Sequence, residues 1–319
     1  MRTQDILASA GPQAQHIEAL WWLMLVICAV VFIAVLTGVA LALIRSPRGD
    51  PATPPDLSSL ARPERLAAIV VVAAVALSAA LLIFLTIASF LTDRRLASLG
   101  PPALEVELTA HRWWWEVRYQ DADPSRIFAT ANEMHIPVGK PVLVKLKADD
   151  VIHSFWVPNL AGKKDLIPGR DATLTLQADK PGNYRGQCAE FCGVQHAKMA
   201  LLVIADPPEQ YAAWAAAERK PALAPASDEQ ERGRDIFVNG RCAMCHAIQG
   251  TSANAKKAPD LTHFASRETL AAGAVPNTIG HLAGWILDPH SIKPGVNMPA
   301  NPLDPDDLQA LLAYLGGLR

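Results

Sequence analysis

Cys242-Ala-Met-Cys245-His246 sets two thiols three residues apart with an imidazole directly after them. In a helical turn, positions i and i+3 share one side. Two thiols so placed can form thioethers to the vinyl groups of a haem while the adjacent imidazole reaches its iron, which is the attachment pattern of a c-type haem. A thioredoxin-like thiol pair would need a βαβ setting, and a zinc site would need further Cys or spaced His; neither is evident. The opposite face of the iron then calls for a Met or His from a downstream loop. Met298, in Pro294-Gly-Val-Asn-Met298-Pro299, is the choice, because a loop bounded by prolines can hold a thioether rigidly. His263, His281 and His290 are its rivals, whereas Met244 lies between the two cysteines and is too constrained to reach the far face. Met/His ligation raises the reduction potential, as suits a carrier feeding an oxidant-consuming enzyme.

A second constellation precedes the first. Cys188-Ala-Glu190-Phe-Cys192-Gly-Val-Gln-His196-Ala-Lys-Met199 packs two thiols, an imidazole and a thioether into twelve residues, and His153 in Val151-Ile-His153-Ser-Phe-Trp156 offers a second imidazole. Two Cys and two His could close a structural zinc site. Met199 points to copper instead, since thioether and thiolate donors together select it, and two cysteines four apart can each bridge a pair of ions. The five cysteines fit this division: two for haem, two for copper, and Cys28 inside an apolar run, leaving no pair for a disulfide.

Something must carry these sites. The chain has 319 residues, enough for two domains plus anchors, of which 50% are hydrophobic and 19% charged. A net charge of −2 supplies no basic field for phosphates, which excludes nucleic acid as a partner. Ala19–Ile44 and Leu66–Leu91 each contain 26 residues without a charge. At ~1.5 Å per residue such a helix exceeds a ~30 Å hydrocarbon core, so both predict membrane spans. Glu18 and His16 precede the first run, which favours a retained span over a signal peptide. Arg45, Arg48, Arg62 and Arg65 lie between the spans, against Arg2 on one flank and Arg94 and Arg95 on the other. The positive-inside rule puts that loop in the cytoplasm and everything after Leu91 outside.

The exported part reads as two domains. Strands are predicted at Leu104–Tyr119, Val142–Lys147, Val151–Val157, Ala172–Gln177, Gly182–Arg185 and Ala200–Ile204, with turns at Pro137-Val138-Gly139, Pro168-Gly169 and Pro181-Gly182. Such spacing suggests a Greek-key sandwich or barrel. A short helix at Tyr211–Arg219 and a proline-rich stretch, Lys220–Ser227, follow as linker. Ser227 with Asp228, Glu229 and Glu231 then marks a helix start, and Leu308–Leu315 closes a helical domain before Gly316-Gly317. The expected division is 1–99 for tail and hairpin, 100–206 for the β domain, 207–226 for linker, and 227–319 for the helical domain.

Ser227–Arg319 resembles bacterial class I cytochromes c, with Gly233, Phe237 and Tyr314 at that family's helix-crossing positions. The resemblance implies haem assembly outside the cytoplasmic membrane. From about Gln15 to Ala205 the chain resembles subunit II of haem–copper cytochrome c oxidases, and the C-terminal fusion is the caa-type pattern. This implies a hairpin, a cupredoxin-like Greek-key domain and an all-α cytochrome domain. It implies His153, Cys188, Cys192, His196 and Met199 as side-chain ligands of a binuclear CuA centre, with Glu190 giving its carbonyl there and its carboxylate to a Mg or Mn ion at the subunit I boundary. His111-Arg-Trp113-Trp-Trp115-Glu-Val-Arg-Tyr119 resembles the family's aromatic segment, making Trp113 the electron entry beside CuA; for Trp114 and Trp115 a hydrophobic patch is an equal reading. Arg112 stands where mitochondrial members have glutamine. Asp165, Pro168, Gly169 and Arg170 match a segment facing subunit I and haem a, or form a solvated turn.

The expected function is the electron-input subunit of a terminal oxidase in the bacterial cytoplasmic membrane, with both domains periplasmic. Electrons would pass from haem c to CuA and on to haem a of subunit I, for O2 reduction coupled to proton pumping. Catalysis itself lies in the partner. Subunit I, subunit III, and an external cytochrome c or quinol–cytochrome c reductase as donor are the implied partners. A CuA-bearing subunit of a nitric oxide reductase and a membrane-anchored copper carrier are the alternatives. A short flexible tether would hold the haem domain at roughly millimolar effective concentration.

Overall fold

The computed structural model describes residues 2–46, 64–96 and 99–319, so Arg48 and Arg62 of the topology argument lie outside the described residues. The chain divides into two units, His16–Ser98 and the remainder, Met1–Gln15 with Leu99–Arg319.

The first unit is helical. Helix α1, Pro12–Arg45, has 34 residues and α2, Arg65–Leu96, has 32, both extending beyond the charge-free runs. Both are long and apolar enough to cross a membrane, and Val30, Phe32, Ile33, Ile83 and Phe90 are exposed along them. Thr37 and Thr86 donate to the carbonyls of Ile33 and Leu82, four residues back, so neither hydroxyl is left unpaired in an apolar surround. Cys28 is exposed on α1. Arg45 sits in the last turn of α1, and Arg94 and Arg95 in that of α2.

In the second unit, β1 is Arg2–Thr3, β2 Leu104–His111, β3 Trp114–Gln120, β4 Phe128–Ala131, β5 Glu133–Pro137, β6 Val142–Ala148, β7 His153–Phe155, β8 Lys164–Leu166, β9 Ala172–Leu176, β10 Gly182–Gln187 and β11 Ala200–Asp206. One sheet runs β4-β3-β2-β6-β9, a second β1-β10-β11-β5, and β7 pairs β8. Alternation dictates the inward face: Val106, Leu108 and Ala110 on β2, Trp115 and Val117 on β3, and Val142, Val144 and Leu146 on β6 are fully buried. Outward, Lys147 pairs with Glu107 at 2.7 Å.

Two readings change here. Leu104–Tyr119, expected as one strand, is the β2–β3 hairpin, turned at Arg112-Trp113 without the Gly, Pro or Asn that would have signalled it. Strands β1 and β8 were not expected, and β4 and β5 were missed as well. The latter two flank Asn132, whose left-handed backbone (φ 63°) breaks the run and whose side chain accepts from the Trp115 N–H at 2.9 Å.

Within 207–226, helix α3, Pro208–Glu218, packs Tyr211, Trp214 and Ala215 on the sandwich, Trp214 stacking on His135 at 4.0 Å. The stretch after it is tied at its start: Lys220 O accepts from His263 and Ala222 N donates to Gln249 O.

The helical part has α4 Asp228–Asn239, α5 Ile279–Leu287, α6 Pro289–Ile292 and α7 Pro305–Gly317, with β12 Thr269–Leu270 paired to β13 Val275–Pro276. Ser227 caps α4 by accepting from Gln230 N. Helix α7 runs through Gly316 and Gly317 rather than stopping before them. Gly233 lets α4 cross α7: a Cβ there would lie 2.0 Å from Ala310 O, and Phe237 meets Tyr314 at 6.3 Å beside it.

Candidate functional site

The loop between β10 and β11 carries the thiols. Cys188 N donates to Met199 O at 2.9 Å and closes the loop, and Ala189 N donates to Ser154 O, tying it to β7 and hence to His153. Cys188 Sγ lies 3.7 Å from Cys192 Sγ, 3.8 Å from His153 Nδ1 and 3.2 Å from Glu190 O. Cys192 Sγ lies 3.6 Å from His196 Nδ1 and 3.8 Å from Met199 Sδ. With metal–donor bonds of ~2.0–2.3 Å, tetrahedral donor–donor edges are roughly 3.3–3.8 Å, so the separations suit donors around metal. His153, Cys188, Cys192 and Met199 are buried, whereas Glu190 is exposed.

The surroundings orient these donors. His153 Nε2 meets Asp150 Oδ1 at 2.9 Å, which puts the ring proton on Nε2 and leaves the Nδ1 lone pair facing Cys188. Asp150 also accepts from Arg112 N and Val151 N. The hydrogen bond with Cys192 holds the Cys188 thiol well below the usual thiol range, against burial and with help from His153, while the same bond pushes Cys192 up. Burial would lower His153, but Cys188 and Asp150 outweigh it and raise its pKa.

The second site is a cavity in the helical part. Cys242–Met244 forms a 3-10 turn, with Cys245 N and His246 N both donating to Cys242 O. His246 Nδ1 donates to Pro259 O at 2.7 Å, which leaves Nε2 unprotonated and free. Burial pushes the His246 pKa down, favouring the neutral, ligating form. Cys242, Cys245, His246 and Met298 line one cavity, with Trp285 and Leu270 among its apolar walls. Arg267 lines it too, and its buried Nε has no partner, as an anionic group at the cavity edge would require. These features fit a haem.

The rivals of Met298 are elsewhere. His263 is held by Lys220 O, His281 pairs with Thr278 at the start of α5, and His290 accepts from Gly295 N; none lines the cavity. Met244 is 69% exposed.

Trp113 joins the two sites. Its indole Nε1 donates to Cys192 O at 2.9 Å, Gly193 leaves room for its ring, and it also lines the haem-motif cavity. A Cβ on Gly193 (φ 110°) would sit 3.0 Å from the indole. Trp114 lines the same cavity and stacks on His111 at 4.4 Å, while Trp115 is fully buried in the sandwich core. Arg112 pairs with Asp150. Asp165, Pro168, Gly169 and Arg170 are exposed. Asp150, Pro259, Arg267, Glu133 and Lys293 were missed by sequence reasoning. Only Asp150, three residues before His153, had a local signal.

Residues 121–206 match the family model described as cytochrome c oxidase subunit II, periplasmic domain, and residues 230–319 match that of cytochrome c. A cytochrome c oxidase subunit 2 of Alkalihalophilus pseudofirmus is 38% identical over 222 residues, covering 69% of this chain and 63% of that one. The chain thus spans slightly less than two thirds of that relative. A cytochrome c oxidase subunit 2 of Bacillus subtilis is 31% identical over 259 residues, covering 75% of this chain and 71% of that one. A subunit of the same description from Bacillus sp. strain PS3 is 30% identical over 258 residues, with the same two coverages of 75% and 71%. Two apolar helices, a periplasmic-type β domain and a cytochrome c domain in one sequence agree with these matches, and the chain belongs to the cytochrome c oxidase subunit 2 family.

Proposed function

We propose that this chain is the electron-input subunit of a terminal cytochrome c oxidase, anchored in a bacterial cytoplasmic membrane with its β and cytochrome domains on the periplasmic side. The observation that carries this reading is the double contact of Trp113, hydrogen-bonded to the Cys192 carbonyl and lining the cavity of Cys242, Cys245 and His246. Both ends of an electron path meet at one side chain.

In this reading His153, Cys188, Cys192, His196 and Met199, with the Glu190 carbonyl, hold a binuclear CuA centre, and the exposed Glu190 carboxylate serves a Mg or Mn ion shared with subunit I. Cys242 and Cys245 would hold haem c covalently, and His246 and Met298 would hold its iron. Bound there, the two groups supply one-electron redox chemistry. The chain's own residues set its conditions. Asp150 fixes the His153 tautomer, Pro259 fixes that of His246, and Trp113 excludes water between the sites, being 7% exposed. Arg267 would offer its unpartnered Nε to an anionic group of the haem. Subunit I would receive the electrons and reduce O2, with subunit III beside it and an external cytochrome c or a quinol–cytochrome c reductase as donor. The domain division of 1–99, 100–206, 207–226 and 227–319 belongs to the same reading, with α3 of the third segment resting on the second.

Replacing Cys192 by Ser or Met199 by Leu in the purified complex is expected to abolish the near-infrared copper band and leave the haem c spectrum intact. An unchanged band in both variants would remove the copper assignment.

A further inference from the structure

Two buried charges cross between the β domain and the helical domain, in opposite directions. Lys293, at the end of α6, is 1% exposed, and its Nζ donates to Trp113 O at 2.9 Å and to Ala271 O at 3.1 Å. Glu133, on β5, is 3% exposed, and its Oε1 accepts from Glu268 N at 2.8 Å, Thr269 N at 3.0 Å and Thr269 Oγ1 at 3.3 Å. The cation of one domain is thus taken by a carbonyl of the other, and the anion by backbone N–H groups.

We propose that Lys293, with Glu133 as its counterpart, is a positioning residue that seats the haem domain permanently on Trp113, so that internal transfer starts from a pre-formed contact and not from a tethered encounter. The proposal rests on the reading of the two metal sites given above.

A surface built for repeated docking keeps its charges at a solvated rim, where they steer approach. Here the charges are buried, tolerable only while their polar atoms are matched. The backbone beside them is committed too. Ala271 and Ala272 hold left-handed conformations at φ 55° and 58°, rare for a residue with a Cβ and kept only where surroundings over-determine them. Their carbonyls are what the seat uses: Ala271 O takes Lys293, and Ala272 O takes Ala200 N at 2.9 Å, one residue from Met199. Asn297 adds a bond to Arg112 O, and Gln195 and Lys198 reach Pro294 O and Ile292 O from the copper-motif side. The two Lys293 bonds can form in either protonation state, since an ammonium has three N–H donors and an amine two, for two carbonyls. With Trp113 covered, an external donor reaches only the haem domain.

Hydrogen exchange on the full-length chain in its purified complex tests this, with Lys293→Met and Glu133→Gln compared to the parent. Lys293→Met strands the Trp113 and Ala271 carbonyls. Exchange at 112–116 and 268–273 is expected to quicken on the order of tenfold or more in each variant. Haem and copper absorption should stay unchanged, and haem-to-copper transfer should slow while reduction of the haem by a small external reductant does not. Should Lys293→Met fail to fold, the isosteric Glu133→Gln carries the test. Unchanged exchange and transfer in a folded variant would overturn the seat. Missing copper or haem bands in the parent would instead overturn the reading of the sites, with the exchange result still deciding whether the seat exists.

Discussion

The Trp113 indole N–H points at the carbonyl of Cys192, 2.9 Å away, from a strand hairpin 79 residues earlier in the chain. A buried aromatic side chain with one polar atom satisfies it at the residue that supplies a candidate ligand sulfur, and leaves the rest of its ring in the cavity of the haem motif.

Trp113→Phe keeps a ring but removes the donor. We expect about 1 kcal/mol of lost stability for one net hydrogen bond. Copper and haem absorption should persist, and transfer between them should slow. Unaltered transfer kinetics at unaltered spectra would remove Trp113 from the path.

Asp150→Ala leaves His153 without the partner that sets its tautomer. Loss of such an outer carboxylate typically weakens metal binding ~10–100-fold. Copper retained against increasing chelator measures this directly, and retention equal to the parent's would mean that Asp150 serves only the Arg112 and Val151 backbone.

Two glycines should behave oppositely. Gly233→Ala would drive a Cβ to 2.0 Å from Ala310 O at the α4–α7 crossing, so a loss of several kcal/mol and little covalent haem are expected. Gly284→Ala on α5 meets nothing within 4 Å and should gain roughly 0.5–1 kcal/mol from helix propensity. Thermal melting of both variants checks the pair.

Lys293 also gives a pH signature. Burial pushes its ammonium down to about 7, with Lys198 adding to the shift and Cys192 opposing it. The unfolded chain therefore binds this proton more strongly between about 7 and the ordinary 10.5. The stability of the neutral form is complete above the upper value and is lost as pH falls through the lower one. The unfolding free energy of the parent minus that of Lys293→Met should rise with pH across the window, by an amount on the order of a few kcal/mol. A flat difference would contradict the burial of the charge.

How much of this was legible in the sequence follows from the range of each interaction. Cys188 to Met199 and Cys242 to His246 are local, so composition and spacing exposed both donor sets, and charge-free runs exposed the two helices. The β2–β3 turn and the Asn132 break were not legible, because their chemistry is a side chain or backbone bond to a distant strand. Lys293 and Glu133 were not singled out, since nothing near either in sequence shows that carbonyls and N–H groups of another domain will receive them. The acceptors for His246 and the cavity-facing Arg267 were hidden in the same way.

The most direct test is a single-electron flash reduction of haem c in the full-length chain, following the haem band and the near-infrared copper band together over a range of protein concentrations. We expect haem reoxidation and copper reduction to share one first-order rate that is independent of concentration. Copper reduction that scales with protein concentration, or does not follow the haem at all, would contradict an internal path through Trp113.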